Sequence, residues 1–87
     1  MKEFKYVVKD ELGIHARPAG ILVKEIAKAA SDVKLQKIGD DRVVNAKSIM
    51  AVMSLGVKQG NEVVFTADGA DEDEVVAKIE KVMTENL

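Results

Sequence analysis

The chain holds a single histidine, His15, set in the run Gly13-Ile14-His15-Ala16-Arg17-Pro18-Ala19. Residues upstream alternate as a strand does and residues downstream repeat as a helix does, so the imidazole falls at a helix N-terminus. Such an end presents backbone N–H groups without partners and the positive pole of the helix dipole, and both favour an anion. A nucleophilic ring beside an anion cradle can carry a phosphoryl group. Arg17 adds a permanently charged donor fork matched to phosphate oxygens, and Pro18 suits the first helical turn, where its missing N–H would be unpaired anyway. The plain alternative for His15 is a helix cap or a solvated surface residue.

The elements that must position this segment can be read from periodicity. Phe4, Tyr6 and Val8 alternate with Lys5, Val7 and Lys9 as in a strand with one more apolar face, and Asp10 to Gly13 supplies a turn. From Ala16 to about Ala30, the apolar Ala19, Leu22, Val23, Ile26 and Ala30 recur at helical spacing, with Lys24, Glu25 and Lys28 falling largely elsewhere. Lys24 and Lys28 lie one turn apart and either extend a positive patch or solvate the helix face. Val33, Leu35 and Ile38 read as a second strand, Gly39-Asp40-Asp41 as a turn, and Arg42 to Asn45 as a short third strand completing a hairpin. A short helix spans about Ser48 to Ser54, Gly56 and Gly60 bracket a connection, and Glu62 to Ala67 alternates as a fourth strand. After Gly69, Asp71 is expected to cap a last helix, with Glu74 three residues on and a stripe of Val75, Val76, Ile79, Val82 and Met83. The acidic run Asp71 to Glu74 reads as helix-end chemistry. As a metal site it lacks a second ligand cluster, and adjacent carboxylates at a helix start point in different directions.

Composition bounds the remaining choices. With 87 residues, 47% of them hydrophobic, the chain suits one domain spanning residues 1–87 with a modest core. It has no cysteine, which excludes a disulfide framework, a thiolate nucleophile and a cysteine-based zinc site. A signal-like N-terminus and a membrane-length apolar run are both missing, so a soluble cytoplasmic protein with no membrane partner is expected. Thirteen basic and fifteen acidic residues give a formal net charge of −2, and aromatics make up 3%; without a basic footprint or a stacking platform, nucleic acid is not expected as a direct partner.

The segment Gly-Ile-His-Ala-Arg-Pro-Ala, followed downstream by Asn45-Ala46-Lys47-Ser48-Ile49-Met50-Ala51-Val52-Met53-Ser54-Leu55-Gly56, resembles HPr, the histidine phosphocarrier family of the bacterial sugar phosphotransferase system, in its Gram-positive form. Two separated motifs occur in the right order, and the likeness extends over nearly the whole chain. Periodicity gives only the element order β-α-β-β-α-β-α; the resemblance implies an α+β open-faced two-layer sandwich, with a four-stranded antiparallel sheet and three helices on one face. It also implies that His15 accepts a phosphoryl group from phospho-enzyme I, charged from phosphoenolpyruvate, and passes it to an enzyme IIA domain. Ala16, Arg17 and Pro18 then form the phosphate cradle. Phosphoryl transfer depends mainly on positioning and charge stabilisation, so a small carrier without a cofactor or metal suffices and catalyses nothing alone.

Ser48 is the second residue of interest. A serine before an apolar helical turn is most simply an N-cap, but Lys47-Ser48-Ile49-Met50 resembles the regulatory segment that HPr kinase/phosphorylase modifies in low-GC Gram-positive bacteria. A phosphoserine there would place roughly −1.5 to −2 charges where the helix dipole welcomes them, so the effect should fall on partners and not on the fold. The resemblance implies that Ile49, Met50, Met53 and Leu55 form an exposed docking patch near His15, joined by Lys24, with Val52 in the core; burial is the alternative for each. In this reading the serine-phosphorylated form serves a catabolite-control transcription factor as corepressor, and the carrier is a monomer.

Two other functions compete: a regulatory module read only through phospho-Ser48, which the joint presence of His15, Arg17 and Pro18 argues against, and a small hydrolase or transferase with His15 as general base, for which no nucleophile or metal partner is visible. Three features depart from the family pattern. Gly20 lies inside the first helix, where it either loosens the helix or permits close packing. The Gly39 to Val44 hairpin is about two residues longer than the Gram-positive pattern, by the turn logic of short hairpin loops. Ala46 and Ala51 flank the serine segment. The sugar itself is not legible, since specificity belongs to the enzyme II proteins.

Overall fold

A computed structural model describes residues 1–87. The chain runs β1 (Lys2–Val7), α1 (Ala16–Ala27), β2 (Asp32–Lys37), β3 (Val43–Asn45), α2 (Ile49–Ser54), β4 (Glu62–Asp68) and α3 (Glu72–Asn86). The strands form one sheet in the order β1-β4-β2-β3, and every neighbouring pair is antiparallel. This is the α+β open-faced sandwich that the resemblance implies.

Strand alternation explains the layers. In β4 the side chains of Val63, Phe65 and Ala67 are fully buried, and the registers Phe4↔Phe65, Leu35↔Phe65 and Leu35↔Val44 carry one apolar row across all four strands. The Phe4 and Phe65 rings stack with centroids 6.5 Å apart. The opposite face of the sheet carries Glu3, Lys5, Lys34, Gln36, Glu62 and Thr66, so only one face demands a cover. The cover is supplied by α1 through Ala19, Leu22 and Ile26, and by α3 through Val75, Ile79, Val82 and Met83, all of them buried. Each of these larger side chains contributes about 1.5–3 kcal/mol of transfer free energy, which ties the helix bearing His15 to the sheet.

Four boundary expectations are corrected. The first helix stops at Ala27, because the Lys28 and Ala29 amides donate to Glu25 and Ile26 in a tightened last turn. Ala30, expected in the apolar stripe, is instead exposed, and its amide donates to Asp71 Oδ2 at 2.9 Å. Asp71 does not cap its own helix and forms no capping box with Glu74: its carboxylate reaches across to the amides of Ala30 and Ser31 and to the Ser31 hydroxyl, while Glu74 pairs with Lys78 at 3.5 Å. These bonds, the Ser31 hydroxyl first and the Ala30 amide next, hold the Asp71 carboxyl below its ordinary range. Gly69 passes so close to Ser31 that a Cβ there would lie 2.7 Å from the Ser31 Cα, which fixes the same corner.

At the hairpin, Ile38 and Arg42 fall outside the strands, leaving a loop of residues 38–42. Its organiser is Asp40, whose Oδ1 accepts the Arg42 amide at 2.9 Å and whose carbonyl accepts from Gln36 Nε2 at 2.9 Å. The Arg42 backbone and side-chain bonds lower the Asp40 carboxyl, and the same guanidinium donates to the Ser54 carbonyl at 3.1 Å. That last bond ties the hairpin rim to the C-terminal end of α2.

Candidate functional site

The loop from β1 to α1 is held from several directions before it reaches His15. Asp10 Oδ1 accepts the Leu12 amide at 2.8 Å, and the Asp10 carbonyl accepts the Gly13 amide at 3.0 Å, a short turn closed by its own aspartate. The Asp10 amide donates to the Leu87 carbonyl at 2.9 Å and the Lys9 amide to the same oxygen at 2.6 Å, so the end of α3 anchors this loop. Gly13 has φ +67°, and a Cβ there would stand 2.2 Å from the Val57 carbonyl oxygen. That approach lets the Ile14 amide donate to the same oxygen at 3.0 Å, with the Ile14 side chain buried.

His15 therefore enters α1 from a fixed backbone. It is extended at φ −110° and ψ −178°, its carbonyl accepts the Ala19 amide at 2.9 Å, and its side chain makes no capping bond. The imidazole is left free for other work, which sets aside the cap alternative. Its Nε2 lies 3.7 Å from Asp10 Oδ2, beyond hydrogen-bond range but close enough for charge coupling when the ring is cationic. Of the first three helical residues Pro18 has no N–H, and the amides of Ala16 and Arg17 find no acceptor within the protein. Two donors remain beside the ring. Asp10, His15, Arg17, Pro18, Ile21 and Asn86 line a shallow depression of about 190 Å³ in front of it. Ala16 and Arg17 are exposed, and Pro18 is buried beneath them.

The second candidate segment opens α2. Ser48 caps this helix as expected: its Oγ accepts the Ala51 amide at 3.2 Å and its carbonyl accepts the Val52 amide at 3.0 Å. Ile49, Met50 and Met53 are exposed at 40%, 81% and 42%, whereas Leu55, expected in the same patch, is buried at 2%. Leu55 follows Val52 by three residues and so shares its inward face, one step past the end of a six-residue helix. Val52 is buried as expected. The patch leans on α1, since the Ile49 Cδ1 lies 3.8 Å from the place of a Cβ on Gly20, an ordinary contact. Gly20 thus neither breaks the helix nor is demanded by close packing. Lys24 is exposed on α1, but Lys28 is held by Glu25 at 3.4 Å, so the two do not form one free positive patch. Ala46 is fully buried, which explains a small residue there, and Ala51 supplies the amide that Ser48 caps.

Sequence reading missed the supports of the site: Asp10 as a neighbour of the ring, Val57 beneath Gly13, and Asn86 and Leu87 from the other end of the chain. Asp10 alone left a trace, as an aspartate opening a turn that ends in glycine.

The chain is similar to known proteins over nearly its whole length. Residues 2–85 match the family model described as the PTS HPr component phosphorylation site. A phosphocarrier protein HPr of Mycoplasma genitalium is 45% identical over 87 residues, which cover 99% of this chain and 97% of that one. Among solved structures, HPr of Thermoanaerobacter tengcongensis superposes with a TM-score of 0.91 at 42% identity, covering 98% of this chain and 93% of that chain. The Bacillus subtilis catabolite repression protein Crh, described as a swapped dimer, superposes at 0.75 with 42% identity over 100% of this chain and 98% of that chain. Fold and sequence together are those of a phosphocarrier protein. The chain belongs to the HPr family of phosphocarrier proteins of the phosphotransferase system. No helix is long and apolar enough to cross a membrane.

Proposed function

We propose that this chain accepts a phosphoryl group on His15 from phospho-enzyme I and passes it to an enzyme IIA domain during sugar uptake. The observation that carries the reading is the pairing of an uncommitted imidazole with the free amides of Ala16 and Arg17. Nε2 faces Asp10, which leaves Nδ1 to attack phosphorus. Its lone pair forms the new N–P bond as the donor's N–P bond breaks, and that electron pair returns to the donor ring. The two amides and the Arg17 guanidinium bind the phosphoryl oxygens, whose charge the helix dipole also favours. Ile49, Met50 and Met53 dock partners beside the site, with Lys24 contributing charge.

Ser48 is the regulatory position of this reading. Phosphorylation by HPr kinase/phosphorylase places an anion at the start of α2, beside the docking patch and away from the core, so it weakens enzyme I docking and suits a catabolite-control transcription factor. The carrier works in the cytoplasm as a monomer of one domain, with no nucleic acid or membrane contact of its own.

Phosphoenolpyruvate and purified enzyme I test the carrier reading. Intact mass before and after mild acid should reveal an acid-labile phosphate on the wild type and none on His15→Ala. No phosphate on the wild type, with enzyme I active on a control carrier, would overturn it.

A further inference from the structure

The phosphoryl chemistry above takes from the contact between Asp10 and the imidazole only which ring nitrogen is free. The Asp10 carboxylate divides its work: Oδ1 is fixed by the Leu12 amide at 2.8 Å, and Oδ2 lies 3.7 Å from His15 Nε2. Its backbone is fixed as well, through the Leu87 carbonyl on one side and the Gly13 amide on the other. The carboxylate cannot drift from the ring without breaking its own turn. Asp10 therefore resembles the orienting acid of a carboxylate–imidazole pair, held in place by a bond that does not involve the histidine.

Charge bookkeeping at the ring indicates what such a group does. Attack by Nδ1 requires a ring with a lone pair on that nitrogen and its proton on Nε2. Attack by Nδ1 forms the N–P bond while Nε2 keeps its proton, so the ring becomes cationic at the moment it is phosphorylated. The cation arises 3.7 Å from Asp10 Oδ2. The donor ring undergoes the reverse change and returns to neutrality, so the transfer balances without an external proton. The other charged side chain lining this depression is Arg17, a permanent cation assigned to the phosphoryl oxygens, and it offers the ring no compensation.

We infer that Asp10 is a positioning residue for phosphoryl transfer: across a gap too wide for a hydrogen bond, its carboxylate charge favours the Nε2–H tautomer of the His15 ring and compensates the ring charge created by phosphorylation. This rests on the phosphocarrier reading. Because both groups are partly exposed, the coupling is modest, equivalent to about a threefold to fivefold shift in the phosphorylation equilibrium.

Asp10→Asn is the decisive variant, because the asparagine oxygen still accepts the Leu12 amide and the turn is retained while the charge is lost. Two readouts separate the proposed role from a structural one. In the first, ¹⁵N-labelled wild type and unlabelled Asp10→Asn share a limiting amount of phosphoenolpyruvate with catalytic enzyme I, and intact mass reads the phosphoryl distribution at equilibrium. The phosphate should favour the wild type by about threefold to fivefold. In the second, ¹H–¹⁵N spectra of the His15 ring in the free proteins should show the Nε2–H tautomer dominant in the wild type and depleted in Asp10→Asn. Equal phosphoryl partition, or a tautomer ratio indifferent to the substitution, overturns the inference. The two readings can also fail separately: a wild type that takes no phosphate from enzyme I sinks the carrier function, while the tautomer measurement, which needs no enzyme, still decides the role of Asp10.

Discussion

The close passage of Gly13 over Val57 can be tested against a glycine with a similar positive φ and none of the crowding. Gly13 and Gly56 have φ of +67° and +61°, but a Cβ on Gly56 meets nothing within 4 Å, whereas one on Gly13 meets the Val57 oxygen at 2.2 Å and the Lys58 Cα at 2.7 Å. Alanine at either position bears the left-handed penalty of about 1–2 kcal/mol, offset by about 0.4–1 kcal/mol from a less flexible unfolded chain, so Gly56→Ala should cost about 1 kcal/mol. Gly13→Ala must in addition push the two segments apart and break the 3.0 Å bond from the Ile14 amide to Val57. Stranding that buried amide adds about 2 kcal/mol. In a domain of this size the gap between the variants corresponds to about 8–16 °C in Tm, measurable by circular dichroism or calorimetry. Phosphorylation of His15 in Gly13→Ala at a temperature where it remains folded should also slow, since the loop that aims the ring has moved. Equal melting temperatures for the two variants would refute the claim that the Gly13–Val57 approach holds the site loop.

Other perturbations have simpler arithmetic. Gly20→Ala should raise stability by about 0.5–1 kcal/mol in urea unfolding, because a Cβ there makes only an ordinary 3.8 Å contact with Ile49 and the helix gains a better former. Ser48→Ala removes the cap on Ala51 and should cost about 0.5–1 kcal/mol, the low end reflecting a 3.2 Å bond on a short helix, while Ser48→Asp keeps an acceptor and should remain near wild type in the same assay. The Asp71 carboxyl is lowered from 3.8 in the folded state, so the stability its charged form adds is fully present above that value and is lost as pH falls through the lowered one. Wild type should accordingly melt above Asp71→Asn at pH 5 to 7, with the difference shrinking as the solution is acidified below pH 4; a constant difference would argue against the charged clamp.

The histidine motif, the element order and most of the buried stripes were legible because each depends on neighbours in sequence. Leu22 and Ile26 declare a helix face, and Val63, Phe65 and Ala67 declare a strand face, whatever else the chain does. The errors fall where a residue takes a distant partner. Asp71 looks like a cap, and it is one for residues 30 and 31 across the fold, not for its own helix. Leu55 looks like part of an exposed helix, yet α2 lies on the core and turns it inward. The candidate site divides in the same way: His15, Arg17, Pro18 and Ser48 stand in recognisable local patterns, whereas Asp10, Val57 and Leu87 reach the ring or its loop only through folding.

The bond between Ile14 and Val57 also bears on when a newly made chain acquires its chemistry. His15 leaves the ribosome about forty residues ahead of the carbonyl that orients it, and at 5–20 residues per second roughly two to eight seconds of synthesis separate the two. Strand β1 waits longer still, since its pairing partner β4 spans Glu62–Asp68. A nascent chain thus displays the histidine well before it has the geometry to use it. On the proposed function, partners that require the ordered loop pass over unfinished copies.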